Sequence, residues 1–155
     1  MGFLVWLEAT ALAEWVRASL VGYPTMIACH AFGMAVMVGL SIMLDLRLLG
    51  WFSGIPYQTL HRFLGIAWAG FGINFLSGAG LFAAQATTYI SNGVFLSKMS
   101  LVLVGAITVA VLQTAVGRDS GAWGGAVPGK VRLIAILSLV CWVGATITGR
   151  LIAYL

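Results

Sequence analysis

Apolar residues fall in four long runs, separated by short stretches rich in glycine or polar side chains. The runs cover about residues 24–48, 60–86, 94–116 and 130–154. Each exceeds the roughly 20 residues an α-helix needs to cross a bilayer. Pro24 suits a helix start, where its missing N–H costs nothing. Gly50 and the stretch from Trp51 to Pro56 predict a turn, as does Ser91-Asn92-Gly93. The segment GRDSGAWGGAVPGK, residues 117–130, predicts a loop. Short connections make neighbouring helices antiparallel. Ahead of these runs, residues 3–20 are apolar but carry Glu8, Glu14 and Arg17, with Leu4, Leu7, Leu12 and Trp15 near helical spacing. That pattern predicts an amphipathic helix at the membrane surface. A signal peptide is the rival reading, since Ala11-Leu12-Ala13 resembles a cleavage site; a basic leader is missing and Glu8 interrupts the apolar stretch. The expected fold is all-α: a membrane-embedded antiparallel four-helix bundle with an N-terminal interfacial helix, as one unit over residues 1–155.

Composition narrows the class. Of 155 residues, 61% are hydrophobic and 8% charged, with a mean hydropathy of +1.05. A soluble domain carries about a quarter charged residues, so a soluble enzyme, a disordered chain and a disulfide scaffold are excluded. Lipid is the expected surrounding. The net charge of +4 comes from scattered Lys and Arg, without the basic stripe of a nucleic-acid binder. Arg47, Arg62, Arg118, Lys130 and Arg132 lie at one end of the expected bundle, and Arg17, Lys98 and Arg150 at the other. The richer end is expected to be cytoplasmic. Both termini of a bacterial inner-membrane protein would then face the periplasm. Cys29 and Cys141 each sit in an apolar run and read as small buried hydrophobes.

Polar residues inside a bilayer are costly and are candidates for function. Here they are His30, Asp45, Arg47, His61, Arg62, Asn74, Gln85, Lys98, Gln113 and Arg150. His30 is followed by Met34, Met37, Ser41 and Asp45 at steps of four, three, four and four, which places all five on one helix face. A neutral imidazole there can ligate haem iron or hydrogen-bond a quinone oxygen; a histidine satisfied by a backbone carbonyl is the plainer alternative. His61 begins the next helix, beside Arg62, and reads as an interfacial histidine or a second ligand site. Within one monomer the two histidines cannot share one iron, because about 27 Å of helix separates residue 30 from the end of its helix; a haem takes one His with Met, Gln or water, or bridges two chains. Met34 and Met99 are the soft ligands near His30, and Gln113 is the polar candidate near His61.

Asp45 and Arg47 stand in LDLRLLG. A carboxylate there calls for a cation, and Arg132 or Arg62 is the expected partner in a structural ion pair; proton uptake is the functional alternative. Arg150 is expected to pair with Glu14 or Glu8, or with a haem propionate or lipid phosphate. Gly65, Gly70, Gly72, Gly78 and Gly80 in the second run suit close helix packing. Asn74 and Ser77 read as interhelical hydrogen bonds. Nucleophile elbows, phosphate loops and HExxH are absent from the sequence, and four acidic residues are too few for a di-iron carboxylate site.

The runs YPTMIACHAFGMAVMVGLSIMLDLRLLG (23–50), FLGIAWAGFGINFLSGAGLF (63–82), NGVFLSKMSLVL (92–103) and RLIAILSLVCWVGATITGRLIAYL (132–155) resemble a family of small bacterial integral-membrane proteins of unknown function. The helix-one His, DLRLLG and GRLIAY carry the resemblance. Members look loosely like four-helix b-type cytochrome and copper-resistance D-type membrane domains. In that family helix three usually ends in a histidine; the matching position here is Gln113, whereas His30 matches the helix-one histidine. The resemblance implies a b-type-cytochrome-like subunit that binds haem b or a quinone at His30 and passes electrons to a membrane-protein partner. In that reading Met99 or Met34 is second ligand and Arg150 the propionate partner. The alternative is a cofactor-free accessory subunit of a larger membrane complex, or a homo-oligomer, in which Trp, Tyr and glycine serve lipid and helix contacts.

Overall fold

The computed structural model describes residues 2–119, 121 and 126–152. Described residues form seven helices: α1 (Gly2–Glu8), α2 (Ala11–Ala18), α3 (Gly22–Leu48), α4 (Tyr57–Ala84), α5 (Ala86–Ile90), α6 (Gly93–Asp119) and α7 (Gly129–Leu151). Four of them, α3, α4, α6 and α7, are long and apolar enough to cross a membrane. Their outward faces expose Phe32, Phe75, Leu76, Leu103, Leu133 and Ile147. Such a surface belongs in lipid, and the chain is a multi-pass membrane protein. Within the bundle α3 packs most extensively on α4, and α6 on α7; α3 against α7 joins the two pairs.

The boundaries follow local chemistry. At the α3 C-terminus, Gly50 has φ 105°, Trp51 N–H donates to the Leu46 carbonyl at 3.0 Å and Gly50 N–H to that of Arg47 at 3.1 Å. This Schellman arrangement requires the left-handed residue that glycine supplies. Arg47 then holds the turn. Its guanidinium donates to the Ile55 and Ser53 carbonyls and to the Tyr57 hydroxyl. Pro56 N-caps α4 and Pro128 N-caps α7, positions where a missing N–H is harmless. Asn92 starts α6 by accepting from the Val94 and Phe95 amides at 2.9 and 3.1 Å.

Two expected elements differ. Residues 3–20 form two helices, because Thr10 interrupts the run. Its hydroxyl donates to the Leu7 carbonyl and accepts from the Ala13 amide, closing α1 and capping α2. The second span ends at Ala84, not 86: Gln85 leaves helical geometry (φ −147°, ψ 44°) and α5 follows. The expected end of the last helix at 154, with part of the 117–130 loop, lies outside the described residues.

The bundle has two unlike ends. The end with the α3–α4 turn encloses Leu44, Leu48, Leu60, Leu64, Val109, Leu112 and Val116, all buried. At the end bearing the start of α3 and the end of α4 the buried positions of these two helices are Gly22, Gly33, Gly70, Ser77, Gly80, Ala83 and Ala84.

Candidate functional site

Small residues set the geometry around His30. A methyl on Gly33 would sit 2.5 Å from the Gly70 carbonyl and 2.6 Å from the Asn74 amide. Backbone meets backbone there, so α3 and α4 cross closely. Their approach lets His30 and Asn74 exchange hydrogen bonds. His30 Nδ1 lies 2.9 Å from the Asn74 carbonyl, and Asn74 Nδ2 donates to the His30 carbonyl at 2.8 Å. A carbonyl only accepts, so Nδ1 carries the proton and Nε2 of the neutral ring presents a lone pair. The ring lies over Gly78, where a Cβ would come within 2.9 Å of Cε1. Ser77 Oγ stands 3.4 Å from Nδ1 while donating to the Ile73 carbonyl at 2.6 Å.

Lys98 of α6 completes the group. Its stem runs along Gly149 of α7, with Cε 3.4 Å from the position of an added Cβ. Asn74 and Lys98 also line a cavity of about 20 Å³ at the centre of the four helices, together with Met34, Met37, Trp142 and Thr146. That volume admits one water or one ligand oxygen, since a water needs about 10–15 Å³ measured this way. Trp142, 3% exposed, has an indole N–H without a partner, so the lining offers an unused donor.

The other expected site residues divide. Met34 lines the cavity one turn from His30. Met99 is 44% exposed and is not among the residues that line the cavity. Arg150 is exposed and does not pair with Glu8 or Glu14. Glu8 instead accepts from the Thr87 amide and hydroxyl at 2.8 and 2.7 Å, and Arg17 donates to the Ala84 and Glu8 carbonyls. These bonds dock α1 and α2 on the α4–α5 junction. His61 packs against Gly117 of α6, whose added Cβ would stand 2.8 Å from Nε2. One turn away, Gln113 accepts from the Trp68 indole at 2.8 Å; the amide is spent on an interhelical bond.

The expected ion pair at Asp45 does not form. Arg132 donates to the Leu49 carbonyl at 3.3 Å, Arg47 is committed to its turn, and Arg62 is exposed. Asp45 is fully buried, and neither carboxylate oxygen has a hydrogen-bond partner.

Sequence reasoning named Lys98 as an intramembrane cation without giving it a role. A lone lysine within an apolar run was the available signal. Ser138 and Trp142 carried none, because serine and tryptophan are ordinary in such helices. The central cavity is far smaller than the several hundred Å³ of pockets that hold ligands of haem's size. Among the described residues no group of three or more His, Cys, Asp or Glu is placed to hold a metal ion. Compared with family models, curated proteins and solved structures, the chain finds no match.

Proposed function

We propose that this chain is an electron-transfer subunit of a bacterial inner membrane that holds a quinone headgroup at His30. The carrying observation is the fixed tautomer of His30, whose Nδ1 is spent on the Asn74 carbonyl. Nε2 is left as an acceptor for a quinol hydroxyl, and the Lys98 ammonium is a donor for a quinone carbonyl. Both side chains are half-buried, so a headgroup reaches them from the lipid with its isoprenoid tail left in the bilayer. Reduction of the bound quinone takes two electrons from a partner's redox centre and two protons from water, giving the quinol. The charge asymmetry of the loops supports an orientation with both termini in the periplasm, which puts His30 in the periplasmic half.

One observation favours a second reading. The exchanged His30 and Asn74 bonds form a clamp across α3 and α4, and a clamp satisfies the histidine without a cofactor. On that reading the chain is an accessory subunit that packs against a larger membrane complex.

Purification in mild detergent, organic extraction and quantification of quinone, with oxidised and dithionite-reduced absorption spectra, separates these readings. Quinone that co-purifies with wild type, is lost in His30→Ala and weakens in Lys98→Met supports the proposal. A Soret band that disappears in His30→Ala replaces it with the b-type cytochrome reading. A colourless, quinone-free protein that co-purifies with other membrane subunits supports the accessory role.

A further inference from the structure

Among the buried polar residues described, Asp45 alone is ionisable, and nothing in its surroundings supports a charge. Both oxygens are shut from solvent without a hydrogen bond. Its neighbours are Leu44 and Leu48 on its own helix, with Ser41 one turn back, all buried. Ser41 donates its hydroxyl to the Met37 carbonyl at 2.7 Å. From α7 comes Ser138, fully buried, interacting with Asp45 but likewise short of a hydrogen bond. Every basic side chain at this end is engaged elsewhere or exposed. Arg47 holds the α3–α4 turn, Arg132 holds the Leu49 carbonyl, and His61 lies on Gly117. Arg62, Arg118 and Lys130 are exposed.

An ionised carboxylate in such a place, desolvated and unpaired, is strongly disfavoured against the neutral acid. A neutral acid needs one acceptor for its proton and one donor for its carbonyl. The Ser138 hydroxyl, itself buried and without a partner, is the polar group beside Asp45 that can serve either role. We propose that Asp45 is a reversible proton-binding site in the bundle core, held as a neutral acid with Ser138 and loaded from the end that carries the α3–α4 turn. The loading side follows from position. Asp45 lies one turn from the helix end, its own carbonyl accepting from Leu49 N–H. In the other direction lie Met37 and the mid-bundle core. Release passes the proton to water at that end.

Infrared spectroscopy of the full chain in lipid at neutral pH, in H₂O and in D₂O, tests this. Wild type is expected to show the C=O stretch of a protonated carboxyl, shifted down after D₂O exchange. Asp45→Asn, nearly isosteric, removes the band; Ser138→Ala keeps it at a changed frequency. N,N′-dicyclohexylcarbodiimide, which adds to protonated carboxyls in apolar surroundings, is expected to label the Asp45 peptide by mass spectrometry, so wild type alone provides a test if Asp45→Asn fails to fold. A wild-type spectrum without the band, together with no label, overturns the proposal. So does a band that never shifts in D₂O, which means a trapped proton, or one that sodium abolishes, which means a cation site.

Discussion

The two ends of the bundle solve the same packing problem with opposite materials. Around the α3–α4 turn, large aliphatic side chains fill the space between helices, and Leu44, Leu64 and Leu112 are wholly buried. Near the termini α3 and α4 meet through glycine, at Gly33 and Gly70, and the space is taken by His30, Asn74, Ser77 and Lys98. In lipid there is no hydrophobic drive between helices, so association rests on close packing and interhelical hydrogen bonds. One end draws on the first and the other on both. A leucine interior has no unspent chemistry. The polar end leaves Nε2 of His30 free of the Asn74 bond, and Lys98 and Trp142 line a water-sized cavity. Asp45 is the exception within the apolar end, and its isolation is what makes it informative.

Truncating the apolar end is expected to have the largest effect. Leu64→Ala and Leu112→Ala each open a cavity among fully buried neighbours and should cost about 2–5 kcal/mol, read as reduced resistance to denaturant in detergent. Met34→Ala, at the edge of an existing cavity, should cost less. Equal losses at both ends would erase the contrast. Next comes Gly33→Ala, whose methyl meets backbone atoms at 2.5 Å and should cost about 1–3 kcal/mol through overpacking. Gly39→Ala on the same helix meets nothing within 4 Å and is the matched control. Asn74→Leu removes the donor to the His30 carbonyl and should cost about 0.6–2 kcal/mol, less than the glycine clash. The His30 Nδ1 bond uses the backbone of residue 74 and should survive. Nitrogen NMR of the imidazole is then expected to show the same tautomer in this variant.

Much of the frame was legible in the sequence because bilayer thickness and hydropathy constrain it so strongly. The four spans end within about three residues of where the apolar runs predicted, wherever those ends are described. The two missed breaks share a cause. Thr10 and Gln85 interrupt helices by local hydrogen bonding and an off-helix backbone, which an apolar tally does not register. For the site, helical spacing placed His30 and Met34 one turn apart, but spacing along one helix says nothing about the facing helix. The Asn74 partner and the place of Lys98 at the cavity depend on how α3, α4 and α6 are rotated. Asp45 shows the same limit: cations at its level were legible, but their commitment to backbone carbonyls was not.

The smallest expected effect is a pH response at the docking of the N-terminal helices, outside the spans. Glu8 accepts from the Thr87 backbone and hydroxyl, and these two bonds, with a lesser contribution from the Arg17 charge, hold its carboxyl below the ordinary value of 4.5. A lowered folded value means the docked state binds fewer protons than the undocked one, so docking is fully supported at pH above that ordinary value. Support is lost as pH falls from there through the lowered value. Exchange of the Thr87 amide hydrogen, corrected for its intrinsic pH dependence, should therefore be constant near neutrality and rise in acid. Glu8→Gln keeps the acceptor geometry and removes the charge, so its profile should be flat, with docking weaker than wild type at neutral pH. Because α1 and α2 rest on the polar end, acid should loosen that end while Leu64 and Leu112 stay packed. A simultaneous acid loss of both ends would show that the docking helices hold the whole bundle rather than one half of it.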